Sequence, residues 1–139
     1  MENKRSNALE VLVPGCPFCE IAKNKEAQLV SSKAAFAFYD KYPVSLGHVL
    51  VVPQTHIGDL YDLKPTQLTS VWELVNETQK LLAERHSPDG FNIGVNTTEA
   101  AGQTVGHAHI HLIPRYLGDV KDPRGGIRWV LPATAKYWE

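Results

Sequence analysis

Nowhere in the 139 residues does an uninterrupted apolar run approach the roughly 20 residues that span a bilayer. The opening residues, MENKRSN, are polar and lack the apolar stretch of a secretory leader. Neither sign of charge is in excess, since 14 lysines and arginines face 15 aspartates and glutamates. That balance argues against a nucleic-acid coat protein or a polybasic membrane binder. Internal repeats and low-complexity tracts are missing, as are an aspartate cluster for magnesium and a P-loop lysine. The expectation is a soluble, cytoplasmic protein with no nucleic-acid and no membrane partner. Cysteine is scarce: Cys16 and Cys19 stand alone in a C-x-x-C pair. In a reducing compartment such a pair is metal-binding or redox-active more often than a disulfide, and the count does not choose between the two.

What is present is ordinary globular composition, 43% apolar and 21% charged, enough for one domain with its own core. Residues 1–13 read as an N-terminal tail, 14–116 as the domain and 117–139 as a C-terminal tail packing on the domain or on a dimer partner. A short helix is predicted over residues 18–23, and strands over 28–31, 34–40, 48–53, 91–96 and 107–113. Residues 64–86 form the one clear amphipathic helix. Leu68, Val71, Trp72, Val75, Thr78, Leu81 and Leu82 recur at spacings of three and four, which gives one core-facing stripe. Pro65 suits its first turn, and Pro88-Asp89-Gly90 ends it. His86 reads as a helix-end residue beside the dipole. The fold class is α+β, an antiparallel sheet flanked by one long and one short helix.

The strongest chemical signal is HAHIHLI, residues 107–113. Strand alternation puts His107, His109 and His111 on one face, about 7 Å apart in succession, with Ala108, Ile110 and Leu112 on the other. Packing does not account for three polar rings that each need partners. A solvated polar face would more naturally use threonine, lysine and glutamate. Two chemistries remain. H-x-H on a strand presents imidazoles to zinc. Imidazole is also a nucleophile for phosphorus, with neighbouring rings to hold the phosphate. The preceding Gly102-Gln103-Thr104-Val105-Gly106 favours the second, because backbone N–H groups, an amide and a hydroxyl are neutral donors suited to developing phosphate charge.

These residues resemble the signature of the histidine triad family, and the resemblance covers residues 16–116. It implies that His109 attacks the α-phosphate of a purine nucleotide and forms a nucleotidyl–histidine intermediate, which water hydrolyses. It implies that His111 hydrogen-bonds the phosphate, that Gln103 and Thr104 contact phosphate or leaving group, and that Asn96 lies at the phosphate. Asp40 matches a ribose-binding position and His48 a histidine that buttresses the triad. Phe18, Ile21 and Phe38 fall where the family lines its base pocket, although each serves equally as core. The cysteine pair resembles that of bacterial members in which Cys16, Cys19, His56 and His107 would form a structural zinc site. The RGGIRWVLP tail is also similar to bacterial members. A homodimer is implied.

The substrate class implied is a dinucleoside polyphosphate such as diadenosine tetraphosphate, with phosphoramidase and phosphorylase activities as alternatives. Thr104 favours the polyphosphate branch over the phosphoramidase branch, where serine is common. Two readings of other classes stand beside these. One is a nucleotide-binding regulator with incidental catalysis, and the other a metalloenzyme holding one metal with all three histidines.

Overall fold

The apolar spacing of residues 64–86 becomes the long helix of the protein. In a computed structural model, which describes residues 12–139, it spans Pro65–His86. The expectations for the N-terminal tail fall almost entirely outside the described residues. Pro65 occupies the first turn, where its missing N–H costs nothing, and the Lys64 N–H donates to Gln67 Oε1 at 3.1 Å. Ser87, in the left-handed region at φ 48°, ends the helix. Its buried side is Val71, Leu74, Val75, Thr78 and Leu82. The stripe is therefore rotated from the expected one. Leu74 is buried, whereas Trp72 is 42% exposed, because at about 100° per residue these two side chains point to nearly opposite sides of the helix. The hydroxyl of buried Thr78 donates to the Leu74 carbonyl at 2.6 Å.

Before it come a short helix, α1 (Pro17–Ala22), and strands β1 (Val30–Ser31), β2 (Ala35–Tyr39) and β3 (Val49–Pro53). After it, as α2, come β4 (Gly90–Val95), β5 (Ile110–Arg115) and a four-residue helix, α3 (Pro132–Ala135). The strands form one antiparallel sheet in the order β1-β2-β3-β5-β4. The α+β class is as the sequence implies. Among the described residues, no helix is long and apolar enough to cross a membrane.

The sheet's two faces carry different jobs. Ala35, Ala37, Val49, Val51, Ile110 and Leu112 pack with α2 on one side. Phe36, Phe38, Leu50 and Val52 face the other way and meet Cys16, Phe18 and Cys19 from α1 and its N-cap. The side that carries α1 also carries the histidines.

One boundary departs from the pattern. The strand expected from residue 107 begins at Ile110. Pairing of β3 with β5 ends at Val51↔Ile110, and Pro53 has no N–H to extend it. Residues 107–109 are held from elsewhere: the Ala108 N–H donates to the Ile57 carbonyl at 2.7 Å. Side-chain alternation nevertheless persists, with Ala108 in the α2-side core. The chain after β5 forms a 3₁₀ turn over Gly126–Val130 and lies across β4, where a Cβ on Gly94 would meet Ile127 Cδ1 at 3.2 Å.

Candidate active site

The hydrogen bonds around the histidines assign each ring its role, because an amide N–H can only donate and a carbonyl can only accept. The Val44 N–H donates to His48 Nδ1 at 3.1 Å. The proton of neutral His48 therefore sits on Nε2 and is donated to His111 Nδ1, 3.0 Å away. His111 in turn keeps its proton on Nε2. His48 thus packs against the triad through His111.

His109 is the mirror case. Its Nδ1–H donates to the His107 carbonyl at 2.9 Å, which leaves the Nε2 lone pair for chemistry. His107 differs again. Its Nε2–H donates to the Pro53 carbonyl at 2.9 Å, so the Nδ1 lone pair points at Cys16 Sγ and Cys19 Sγ, 3.5 Å from each. The three rings thus serve three different partners. A single metal held by all three does not fit this arrangement.

Burial pushes His111 down to about 4, helped by the neighbouring His109 and His48, with Asp40 opposing. Burial also lowers His48, although Asp40 Oδ2 lies 3.5 Å from its Nε2. Both rings are consequently neutral near pH 7, as the His48-to-His111 hydrogen bond requires. The sign of the linkage follows. An unfolded histidine takes its proton near 6.5, before folded His111 does. The stability from the neutral ring is complete above about pH 6.5 and is lost as pH falls toward 4. Urea midpoints measured from pH 7 to 4 should therefore fall less steeply in His111→Asn than in the wild type. An equally steep fall would remove His111 as the source.

Beside these rings lies a cleft of about 380 Å³, a size suited to one small ligand. His109 and His111 line it, together with Phe18, Ile21, Phe38, Asp40, Asn96 and Thr104. Phe18 meets the His109 ring edge-on at 5.1 Å and Phe38 at 5.6 Å. Asp40 keeps one oxygen on the Tyr42 N–H at 3.0 Å, which aims the carboxylate. Gln103 stands apart from this group. Its amide NH₂ donates to the Gly58 and Val105 carbonyls at 3.0 Å, and its oxygen accepts from the Thr98 N–H at 2.9 Å. It staples the loop that presents Thr104, and both of its donor hydrogens are used in doing so.

Sequence reasoning overlooked several walls of the cleft. Leu50 sits directly opposite His111 in register, a relation available only once the strands are paired. Pro17, Tyr42 and Gly102 also line it. His86 does more than end α2. It exchanges a 3.1 Å hydrogen bond with the Tyr39 hydroxyl and packs so close to Gly47 that a Cβ there would meet it at 2.8 Å.

Behind the cleft, Cys16, Cys19, His56 and His107 converge, with their ligand atoms all within 4.8 Å of one another. Cys19 Sγ lies 3.3 Å from His56 Nδ1. Around a tetrahedral zinc with Zn–S of about 2.3 Å and Zn–N of about 2.0 Å, sulfur and nitrogen ligands stand about 3.5 Å apart. The 3.3–3.5 Å spacings here fit such an edge. Burial raises the free Cys19 thiol, with the Val13 N–H pulling the other way. The Pro53 carbonyl on His107 Nε2 is the kind of outer partner that orients a metal-binding imidazole.

The fold is thus a five-stranded antiparallel sheet whose three alternating histidines divide between a cleft and a Cys/His cluster. The model of the HIT domain matches residues 22–118, and the chain belongs to the HIT family. It is 38% identical over 91 residues to the asymmetrical bis(5'-nucleosyl)-tetraphosphatase of Schizosaccharomyces pombe, covering 66% of this chain and 50% of that protein. It is 32% identical over 110 residues to AP-4-A phosphorylase of Mycobacterium tuberculosis, covering 76% and 56%. Against the adenosine 5'-monophosphoramidase of Saccharomyces cerevisiae it is 31% identical over 125 residues, covering 88% and 73%. The chain thus spans only about half the length of the first two relatives. Among solved structures it is similar to a zinc-bound histidine triad family protein from Mycobacterium smegmatis. There the TM-score is 0.68 and the identity 33%, covering 76% of this chain and 78% of that one.

Proposed function

We propose that the protein transfers the nucleoside monophosphate of a dinucleoside polyphosphate to water through His109. The observation that carries this reading is the 2.9 Å hydrogen bond from His109 Nδ1 to the His107 carbonyl, which directs the Nε2 lone pair into the cleft. Nε2 bonds to the α-phosphorus as the bond to the bridging oxygen breaks. The leaving polyphosphate keeps that electron pair and departs as an anion. A water oxygen then bonds to phosphorus, the N–P pair returns to Nε2, and one proton passes to solvent. Splitting the displacement in two lets imidazole, rather than bulk water, make the first attack.

The other cleft residues have work suited to their chemistry. His111 donates its Nε2–H to a phosphate oxygen, in the tautomer set by His48. Thr104 and Asn96 add neutral donors, which serve charge that develops in the transition state. Asp40 accepts from ribose hydroxyls. Phe18, Ile21 and Phe38 enclose the purine. Gln103 acts by holding the Thr98–Val105 loop.

Cys16, Cys19, His56 and His107 would hold a structural zinc. Four protein ligands leave no open position, so the metal would supply rigidity and no activated water. Such a site, with both thiols reduced, suits the cytoplasm. The homodimer would join two sheets at β4, an edge strand on which Ile93 is 37% exposed.

The test is rapid-quench trapping with diadenosine tetraphosphate and, in parallel, adenosine 5'-phosphoramidate, each with and without added phosphate. AMP mass on the peptide containing His109 is the expected result. No adduct across the whole turnover, or an adduct on another residue, would overturn the mechanism. Phosphate-dependent release of ADP would assign the phosphorylase reaction instead.

A further inference from the structure

A second cavity, of about 800 Å³, lies on the same sheet face. Ile113 and its cross-strand partner Asn92 form its floor. Val44 closes one side, and Tyr116, Lys121 and Trp129 from the chain after β5 close the other. His111 of the first cleft and Ile113 of the second are successive same-face residues of β5, about 7 Å apart. The segment before β3 divides the same way, giving Asp40 and Tyr42 to the cleft and Val44 to the larger cavity. The two spaces therefore share a border at the His48–His111 pair.

A cleft of about 380 Å³ has room for one nucleoside and not two, so the other half of a dinucleotide would continue elsewhere. We infer that the larger cavity is the subsite for the leaving half of a dinucleoside polyphosphate, with Trp129 taking its base and Lys121 its phosphates. This rests on the reading of His109 given above and adds to it a reason for the C-terminal segment.

Trp129 is built to act as a platform. Its indole N–H donates to the Arg124 carbonyl at 2.7 Å, which fixes the ring, while the side chain stays 43% exposed. The Tyr116 hydroxyl donates to the Leu46 carbonyl at 2.7 Å and ties this segment to the loop beside Val44. The acidic groups of the wall are already neutralised. Asp119 is paired with Arg115 at 2.8 Å and Asp122 with Arg124 at 2.9 Å. Arg115 is committed to Asp119 and Asn92, so Lys121 is the cation positioned to meet phosphate.

The test is the ratio of kcat/KM for diadenosine tetraphosphate to that for adenosine 5'-phosphoramidate, whose leaving group is too small to reach the cavity. In Trp129→Ala this ratio should fall about tenfold, the scale of one lost base–aromatic stack. Lys121→Glu, a change at an exposed position, should lower it several-fold and keeps the test valid if the tryptophan variant folds poorly. An unchanged ratio in variants whose circular dichroism and Tm match the wild type would overturn the subsite. Wild-type protein that binds AMP but turns over neither compound would sink the catalytic reading and the subsite with it.

Discussion

Alanine at position 109 should lower turnover about 10⁴-fold or more while changing AMP affinity by no more than about tenfold. The reason lies in how the site is divided. The His109 ring presents Nε2 at the cleft, but the walls of that cleft come from Phe18, Ile21, Phe38 and Leu50, and its polar ligands from Asp40, Asn96, Thr104 and His111. Removing the imidazole deletes the atom that bonds to phosphorus and leaves most of the binding surface standing. Single-turnover rates beside AMP titrations, with the fold checked by Tm, separate the two effects. Wild-type-like turnover in this variant would end the proposal that His109 is the nucleophile. Loss of AMP binding by a hundredfold would show that the ring mainly binds.

The second large effect concerns the Cys/His cluster. Protein purified without chelator should carry about one zinc per chain, and Cys19→Ser should carry less than a tenth of that. Cys19 is fully buried, lies against His56 and His107, and accepts from the Val13 N–H at 3.3 Å. A structural zinc adds its binding free energy to folding. If loss of the site costs about 4 kcal/mol, a chain of this size should melt about 14 °C lower. Turnover should fall along with stability, because His107 presents its Nδ1 to the cluster and its carbonyl to His109. Elemental analysis and thermal melts check this directly. A wild type without zinc, or an unchanged Tm in Cys19→Ser, would show that the four side chains are only core.

How much of this was legible in the sequence varies by residue. Strand alternation is a local property, so HAHIHLI announced three rings on one side, and Ala108, Ile110 and Leu112 duly lie in the opposite core. The long helix was legible from spacing, but its rotation was not. Leu74 and Trp72 lie on either side of the stripe, and only packing of the helix on the sheet made Leu74 part of the core that also holds Ala35, Ala37 and Val49. Gln103 looked like a donor to substrate because of its neighbours in sequence. Its three partners, Gly58, Val105 and Thr98, are backbone groups on two loops that approach only in the folded chain.

By itself the sequence determined the side-chain inventory: which rings, thiols and carboxylates exist, and which of them share a strand face or a helix stripe. The tertiary structure alone decided what each ring does. The Val44 amide, the His107 carbonyl and the Pro53 carbonyl set the proton positions of His48, His109 and His107, and every residue except proline offers the same amide and carbonyl. A backbone group leaves no mark in the one-letter code, so its choice of partner emerges only when distant segments are brought within about 3 Å of one another.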